Sequence, residues 1–353
     1  MAGFSIFMNE VLSQSDHEYL KQMKLHNFKG VFTSMHIPED DASQYHERLL
    51  ALAKTTKSLG LKLMIDISND ALEQAGFSLQ NLKALRSIGV TGLRMDYGIS
   101  MQKIAEISHE MTVSLNASTL TSDEITELQN ADADFKNLEA WHNYYPRPET
   151  GLGREWFEQK NNQLKHWGFK VVAFVAGDAN LRGPLYQGLP TLEEHRYQNP
   201  LAAELDLLQL GVDEVYVGDG GLSNKTQEQH QEYYQNRIVV LHAKKFDMSS
   251  EVHKLVFQTH EQRQDVARDV IRSEEAREQC DFVVEPRKKQ KRSYGSITLD
   301  NQLYGRYMGE LQIIKNELSA DEKVNVVAEI CSKDRGLLRW IEPGQKFRIE
   351  DGE

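Results

Sequence analysis

The chain has 353 residues, 40% hydrophobic and 27% charged, and its 53 acidic and 41 basic side chains leave a formal net charge of −12. This balance excludes bulk disorder, and so acidic a surface argues against nucleic acid or an anionic membrane as a partner. Cys280 and Cys331 are the only cysteines, so no disulfide framework or cysteine-rich zinc site is expected, and a reducing compartment, the cytoplasm, is the simplest reading.

The first twenty residues lack a basic start and a long apolar run, so no signal peptide is expected, and no stretch approaches the 18 apolar residues of a membrane span. Short apolar runs then alternate with amphipathic patterns. Strand candidates are 4–8, 30–34, 62–67, 92–96, 112–116, 133–140, 170–175 and 214–218. Ser15 with Glu18, Thr121 with Glu124, and Thr191 with Glu194 fit capping boxes. Asp41 fits the N-cap of a helix over 42–59 that Gly60 stops, and Gly76 and Gly168 punctuate other units. Eight strand–helix units in about 235 residues match a (β/α)8 barrel. The rival, a doubly wound open sheet, usually carries a glycine-rich phosphate loop after its first strand, which here ends Met8-Asn9-Glu10. After Arg237 the runs 238–242, 296–299, 325–330 and 347–349 surround one helical stretch, 263–277. The expected fold is therefore α/β: an N-terminal TIM-like barrel over 1–236 and a smaller β-rich domain over 237–353.

Barrel chemistry sits at the C-terminal ends of the strands. In order, these ends supply Asn9 and Glu10; Ser34, His36 and Glu39; Asp66 and Ser68; Arg94 and Asp96; Asn116 and Ser118; Asn137 and Glu139, followed by Trp141 to Arg147; Asp178, Asn180 and Arg182; and Asp219. Residues two apart share a strand face, so Arg94 with Asp96 and Asn137 with Glu139 are expected to converge on the mouth. Carboxylates and amides beside Trp141, Tyr144 and Tyr145 suit a sugar, and a carboxylate pair supplies the acid and the base or nucleophile of glycoside cleavage. The segment 177–183 after the seventh strand fits a phosphate loop, with Arg182 as its clamp. Arg147, between Pro146 and Pro148, is a second anion contact unless it only pairs with Glu149. No metal is expected: the chain lacks His-Glu-x-x-His, and a hydrogen-bonding role suits His36 and Glu39 better than chelation. The basic run 286–292 has no interleaved aromatics and reads as a solvated loop.

Five segments carry a family resemblance: 32–40, 93–99, 115–119, the long 138–151 (LEAWHNYYPRPETG) and 304–310 (YGRYMGE). Together they resemble the bacterial 6-phospho-N-acetylmuramidase (MupG) family, its staphylococcal member most of all. The resemblance implies a TIM-like barrel joined to a cyclophilin-like domain. It also implies an intracellular, exo-acting glycosidase of cell-wall recycling. Such an enzyme would cleave the β-1,4 bond of N-acetylmuramic acid 6-phosphate–N-acetylglucosamine without a cofactor. On that reading Asp96 and Glu139 are the central catalytic pair, with Glu10 and Asp66 next. The acid and base stay unassigned, and the substrate's own acetamido oxygen remains open as nucleophile. Ser34, His36, Glu39, Arg94, Asn116, Trp141, His142, Asn143, Tyr145, Arg147, Asp178, Arg182, Asp219 and, from the small domain, Arg306 are the expected substrate contacts. The partner is the phosphorylated amino-sugar disaccharide; monomer and homodimer stay open. A sugar-phosphate isomerase or epimerase is the competing enzyme, and a sugar-phosphate-binding or prolyl-isomerase module the competing non-glycosidase.

Overall fold

The computed structural model describes residues 3–8, 10–35, 44–95 and 98–352, with the backbone alone at 69. The alternating runs form eight strands: β1 (Gly3–Ser5), β2 (Gly30–Ser34), β3 (Lys62–Ile67), β4 (Gly92–Met95), β5 (Thr112–Asn116), β6 (Leu138–Trp141), β7 (Lys170–Val175) and β8 (Glu214–Val217). Each pairs in parallel with the next, and β1 pairs with β8, so the sheet closes into the barrel that the unit count implied. Helices between the strands include α1 (Gln14–Leu25), α2 (Tyr45–Leu59), α3 (Asn69–Gln74), α4 (Leu82–Ile88), α5 (Met101–Ser108), α6 (Ser122–Asn130), α7 (Arg154–His166) and α8 (Pro200–Gln209), with α9 (Asn224–Gln231) following β8. By internal packing the chain divides into two compact units, Met1–Gln227 and Glu228–Glu353.

The Thr121–Glu124 capping box and the left-handed Gly60 stop are present. The first box is shifted: Ser13 and Asp16, not Ser15 and Glu18, start α1. Thr191 starts no helix and instead donates its hydroxyl to the carbonyl of Asn143 at 2.9 Å. Asp41 lies outside the described residues.

Strand periodicity sorts the barrel side chains. Val31, Leu63, Ile65, Leu93, Val113, Leu138, Ala140, Val171 and Val215 belong to the large core shared with the helices. Phe32, Met64, Trp141, Val172, Phe174 and Tyr216 form a second core inside the barrel. Tyr216 fits there because two strands carry glycine: a Cβ on Gly3 or Gly30 would stand 2.0 or 2.2 Å from its ring or hydroxyl.

The second unit has seven strands: β9 (Ile238–Lys245), β10 (Thr259–Glu261), β11 (Val270–Arg272), β12 (Ser296–Asp300), β13 (Leu311–Ile314), β14 (Val324–Ile330) and β15 (Lys346–Asp351). Their order is β10-β15-β9-β14-β12-β13-β11. The outer strands meet through a Gln262–Ser273 bridge and a 2.9 Å hydrogen bond from Glu274 N–H to the Glu261 carbonyl, so this sheet also closes on itself. The helix expected over 263–277 is absent; β11 and the short α11 (Ala276–Gln279) stand there, and a helix not anticipated, α10 (Ser250–Val256), precedes β10. The charges that imitated a helical face are instead paired around a loop, Asp265 binding both Arg263 (2.9 Å) and Arg272 (2.8 Å). Residues 286–291 are exposed and without regular structure, and neither cysteine forms a disulfide. No helix among the described residues is long and apolar enough to cross a membrane.

Candidate active site

The floor of the barrel mouth is aromatic. Phe32, Trp141 and Phe174 lie with ring centroids 5.3–5.7 Å apart, and Tyr144 packs on Phe174 at 5.2 Å. Burial holds the Tyr144 phenol above its ordinary pKa, so its hydroxyl stays protonated at neutral pH.

Above this floor runs a chain of polar side chains from the tops of four strands. Ser34 Oγ donates to Asp66 Oδ2 at 3.0 Å, Arg94 Nη1 donates to Asp66 Oδ1 at 2.8 Å, and Arg94 Nη2 donates to Asn143 Oδ1. Asp66 is 9% and Arg94 5% exposed. Both carboxylate oxygens of Asp66 are thus taken by donors, which suits an anchor for Arg94. The Arg94 Nε is buried and, among the described residues, has no hydrogen-bond partner.

Arg182 closes the other side. Its guanidinium stacks over Phe7, 4.3 Å from the ring centroid, and Nη1 donates to the Tyr144 hydroxyl at 2.9 Å. Among the described residues this is its one side-chain hydrogen bond, so most of its fork remains for a ligand. Asp219 shapes the loop: wholly buried, it accepts the backbone N–H groups of Gly177 (2.9 Å), Arg182 (3.0 Å) and Leu189 (2.9 Å). Burial raises its pKa and these three donors counter the rise. Asp178 binds Ser223 and Thr226, before and in α9. Both aspartates therefore build the loop.

A second pair fixes the 143–151 segment. The buried Arg196 donates to the carbonyls of Tyr145 (2.9 Å), Gly188 (3.0 Å) and Arg147 (3.3 Å) and pairs with Glu193 at 2.6 Å. Glu193 accepts the N–H groups of Glu149 and Gly151, and its hydrogen bond from Arg196 pushes its pKa down to about 2. Tyr145 N–H donates to the Pro190 carbonyl at 2.9 Å, and the Arg147 side chain is exposed. Asn116 caps a turn by accepting Ser118 N–H at 3.0 Å. It also borders a cavity of about 230 Å³ whose walls include Met95, Ile99, Leu115 and Leu120.

Three expectations need correction. The sixth strand starts at Leu138 behind a 3-10 turn, not at 133, so Glu139 stands near its N-terminal end. There Glu139 accepts Lys170 Nζ at 2.9 Å and Trp141 Nε1 at 2.7 Å, and Lys170 also binds Glu214 at 2.8 Å. Lys170 and Glu214 open β7 and β8, so this cluster sits at the N-terminal ends of its strands, opposite the ends that form the mouth. Trp141 is wholly buried inside the barrel and presents no face to a ligand. His142 points outward, wholly buried on Phe157, with Nε2 against Asn161 Oδ1 at 2.8 Å. Burial lowers its pKa to about 4. His36, Glu39 and Asp96 lie outside the described residues. Glu10 is exposed after β1. Arg306, in the second unit, is exposed and donates to the Tyr307 hydroxyl at 2.7 Å.

Sequence reasoning missed Phe7, Lys170, Glu193 and Arg196. Phe7 was legible, being in phase with Ser5 on β1. Glu193 and Arg196 form a local i,i+3 pair, but what they and Lys170 hold is set by partners as far as 51 residues away.

Residues 2–232 match the N-terminal domain and residues 239–350 the C-terminal domain described for 6-phospho-N-acetylmuramidase. No curated protein matches the chain. Among solved structures, a conserved Enterococcus faecalis protein of unknown function is 44% identical, with 99% of this chain and 96% of that one covered at a TM-score of 0.92. An uncharacterized B. cereus protein, 24% identical, shares the fold over 99% of both chains at a TM-score of 0.73.

Proposed function

The chain belongs to the 6-phospho-N-acetylmuramidase family, a family of glycosidases, and from that premise we propose that it hydrolyses the β-1,4 bond of N-acetylmuramic acid 6-phosphate–N-acetylglucosamine. The products are the 6-phosphorylated muramic sugar and free N-acetylglucosamine. It acts from the non-reducing end, in the cytoplasm, during cell-wall recycling.

The observation that carries the reading is Arg182: a guanidinium held between Phe7 and Tyr144 over an aromatic floor, with one side-chain hydrogen bond made, in a chain of net charge −12. A cation so placed selects an anionic group on an otherwise hydroxylated, ring-faced ligand. We assign the 6-phosphate to Arg182. The acetamido group goes to Asn116, which borders the mixed cavity that Leu115, Thr119 and Leu120 also line. Arg94 stays anchored by Asp66 and Asn143, and a substrate oxygen is its remaining partner.

Hydrolysis then needs two carboxyl groups across the bond, one to protonate the leaving oxygen and one to act as base, nucleophile or orienter of the acetamido group. Asp96, two residues beyond Arg94 in sequence, and Glu10 take these roles. Asp66 positions Arg94, and Glu139 serves as counter-ion to Lys170. The test is paired: the disaccharide with and without its 6-phosphate, products followed by mass spectrometry. Cleavage of the phosphorylated form alone is expected. Equal cleavage of both removes the phosphate assignment, and cleavage of neither by folded protein removes the glycosidase reading.

A further inference from the structure

The loop after β7 carries a feature that phosphate binding does not explain. Its base is rigid: Asp219 holds the N–H groups of Gly177, Arg182 and Leu189, and Arg196 holds the carbonyl of Gly188. From this base the tip 183–187 projects with Leu185 45% and Tyr186 63% exposed. Tyr197, 73% exposed, joins the tip through a 3.0 Å hydrogen bond from its hydroxyl to Gln187 Oε1. Two tyrosines and a leucine thus stand in water together, where packing alone would bury them.

The backbone of Tyr186 sharpens the point. Its φ is +54°, a conformation that L side chains rarely adopt. Elsewhere among the described residues Asn27, Asp132 and Asn180, which tolerate it, take this conformation, as do the long side chains Glu149 and Arg237. Tyr186 is the one aromatic among the described non-glycine residues with positive φ. Its N–H returns to the Arg182 carbonyl at 3.2 Å, and a Cβ on Gly183 would meet its hydroxyl at 3.0 Å. The turn therefore sets the phenol ring over Gly183, one residue outside the Arg182 clamp. Glycine or asparagine would make this turn with less strain; a strained, solvent-exposed ring points to something that docks on it.

Resting on the glycosidase reading, we infer that Tyr186, flanked by Leu185 and Tyr197, is the platform for the leaving-group sugar. Arg182 holds the phosphorylated ring at depth, so the sugar on the other side of the scissile bond faces outward, past Gly183. The electron-rich face of a phenol suits the C–H face of a β-linked hexosamine. Tyr186 is a specificity residue: it binds the ring that leaves and takes no part in proton transfer. Binding energy from so remote a contact appears in KM when it is equal in ground and transition states, and in kcat when it orients the bond.

The test compares wild type, Tyr186→Ala and Tyr186→Trp on two substrates: the phosphorylated disaccharide, and the 6-phospho-N-acetylmuramyl β-fluoride, whose leaving group has no ring. Tyr186→Ala is expected to lose about tenfold to a hundredfold in kcat/KM on the disaccharide, remain within twofold on the fluoride, and recover with Trp. Equal losses on both substrates, or no loss on the disaccharide, overturn the platform. Ligand-observed NMR with free N-acetylglucosamine provides a readout that needs no turnover: saturation transfer from wild type that disappears in Tyr186→Ala supports the platform even if the bond cleaved is another. Transfer that persists unchanged in Tyr186→Ala, or is absent from wild type, overturns it. Failure of the glycosidase reading shows separately, as wild-type protein that cleaves neither substrate.

Discussion

Asp66→Asn is the substitution that most directly tests how the barrel mouth is built. It keeps the side-chain shape and removes the charge that faces Arg94 at 2.8 Å. At that distance, and with an effective dielectric of about 20, the attraction is roughly 6 kcal/mol, much of which offsets the desolvation of both groups. What the variant leaves behind is the larger concern. Arg94 would be buried with only charge-neutral acceptors, Asn143 and the substituted amide, and among the described residues its Nε has no partner. Breaking a buried pair from one side costs about 3–5 kcal/mol. With about 2–4 °C per kcal/mol for a domain of this size, Tm should fall by about 6–20 °C. Scanning calorimetry reads the shift, and Asp66→Leu with Arg94→Met serves as the control. Removing both charges should restore most of the stability while activity stays lost, because the oriented guanidinium is gone. A Tm within about 2 °C of wild type for Asp66→Asn, or a double variant as unstable as the single, would refute the buried-pair argument.

The remaining predictions concern other levels of the structure. Glu10→Gln and Asp96→Asn should each lower kcat at least about a hundredfold, the scale of lost general acid–base help, whereas Glu139→Gln should keep kcat/KM within a few-fold and lower Tm; the reverse order in steady-state kinetics would return Glu139 to the catalytic pair. Gly30→Ala drives a methyl to within 2.2 Å of the Tyr216 hydroxyl, and overpacking of about 1–3 kcal/mol should appear in urea unfolding. Asp300 in the second unit has its pKa raised to about 7 by burial, then by Glu310 and Asp321, against Arg292. A carboxyl whose folded pKa exceeds its unfolded value of 3.8 stabilises fully below pH 3.8, and that contribution disappears as pH rises through 7. Asp300→Asn should therefore raise Tm at pH 8 by several degrees and leave it unchanged near pH 4, and a shift independent of pH would contradict the burial argument. His142 acts oppositely: with its pKa lowered to about 4 by burial, its contribution is complete above 6.5 and is lost as pH falls through 4. A first-unit Tm that did not decline between pH 7 and pH 4 would count against it.

Much of the barrel was legible because its signals are local. A parallel strand covered by helices on one face and packed within the barrel on the other reads as a continuous apolar run, and glycines such as Gly60 and Gly168 mark where helices stop. Run length and alternation therefore determined the eight strand–helix units and the inward phase of Ser34, Asp66 and Arg94. They did not determine depth. Glu139 has the right phase for the interior, but a 3-10 turn delays β6 by five residues and leaves it near the N-terminal end of that strand beside Lys170, a partner 31 positions away. His142 alternates outward onto Asn161 and Phe157. The charged stretch 263–277 has helical spacing, yet Asp265 gathers its arginines around a loop and β11 joins the closing sheet. Periodicity records which way a side chain points relative to its own backbone. How deep it lies, and which distant charge or amide satisfies it, depends on strand register and on the closure of the barrel, and these exist only once the chain has folded.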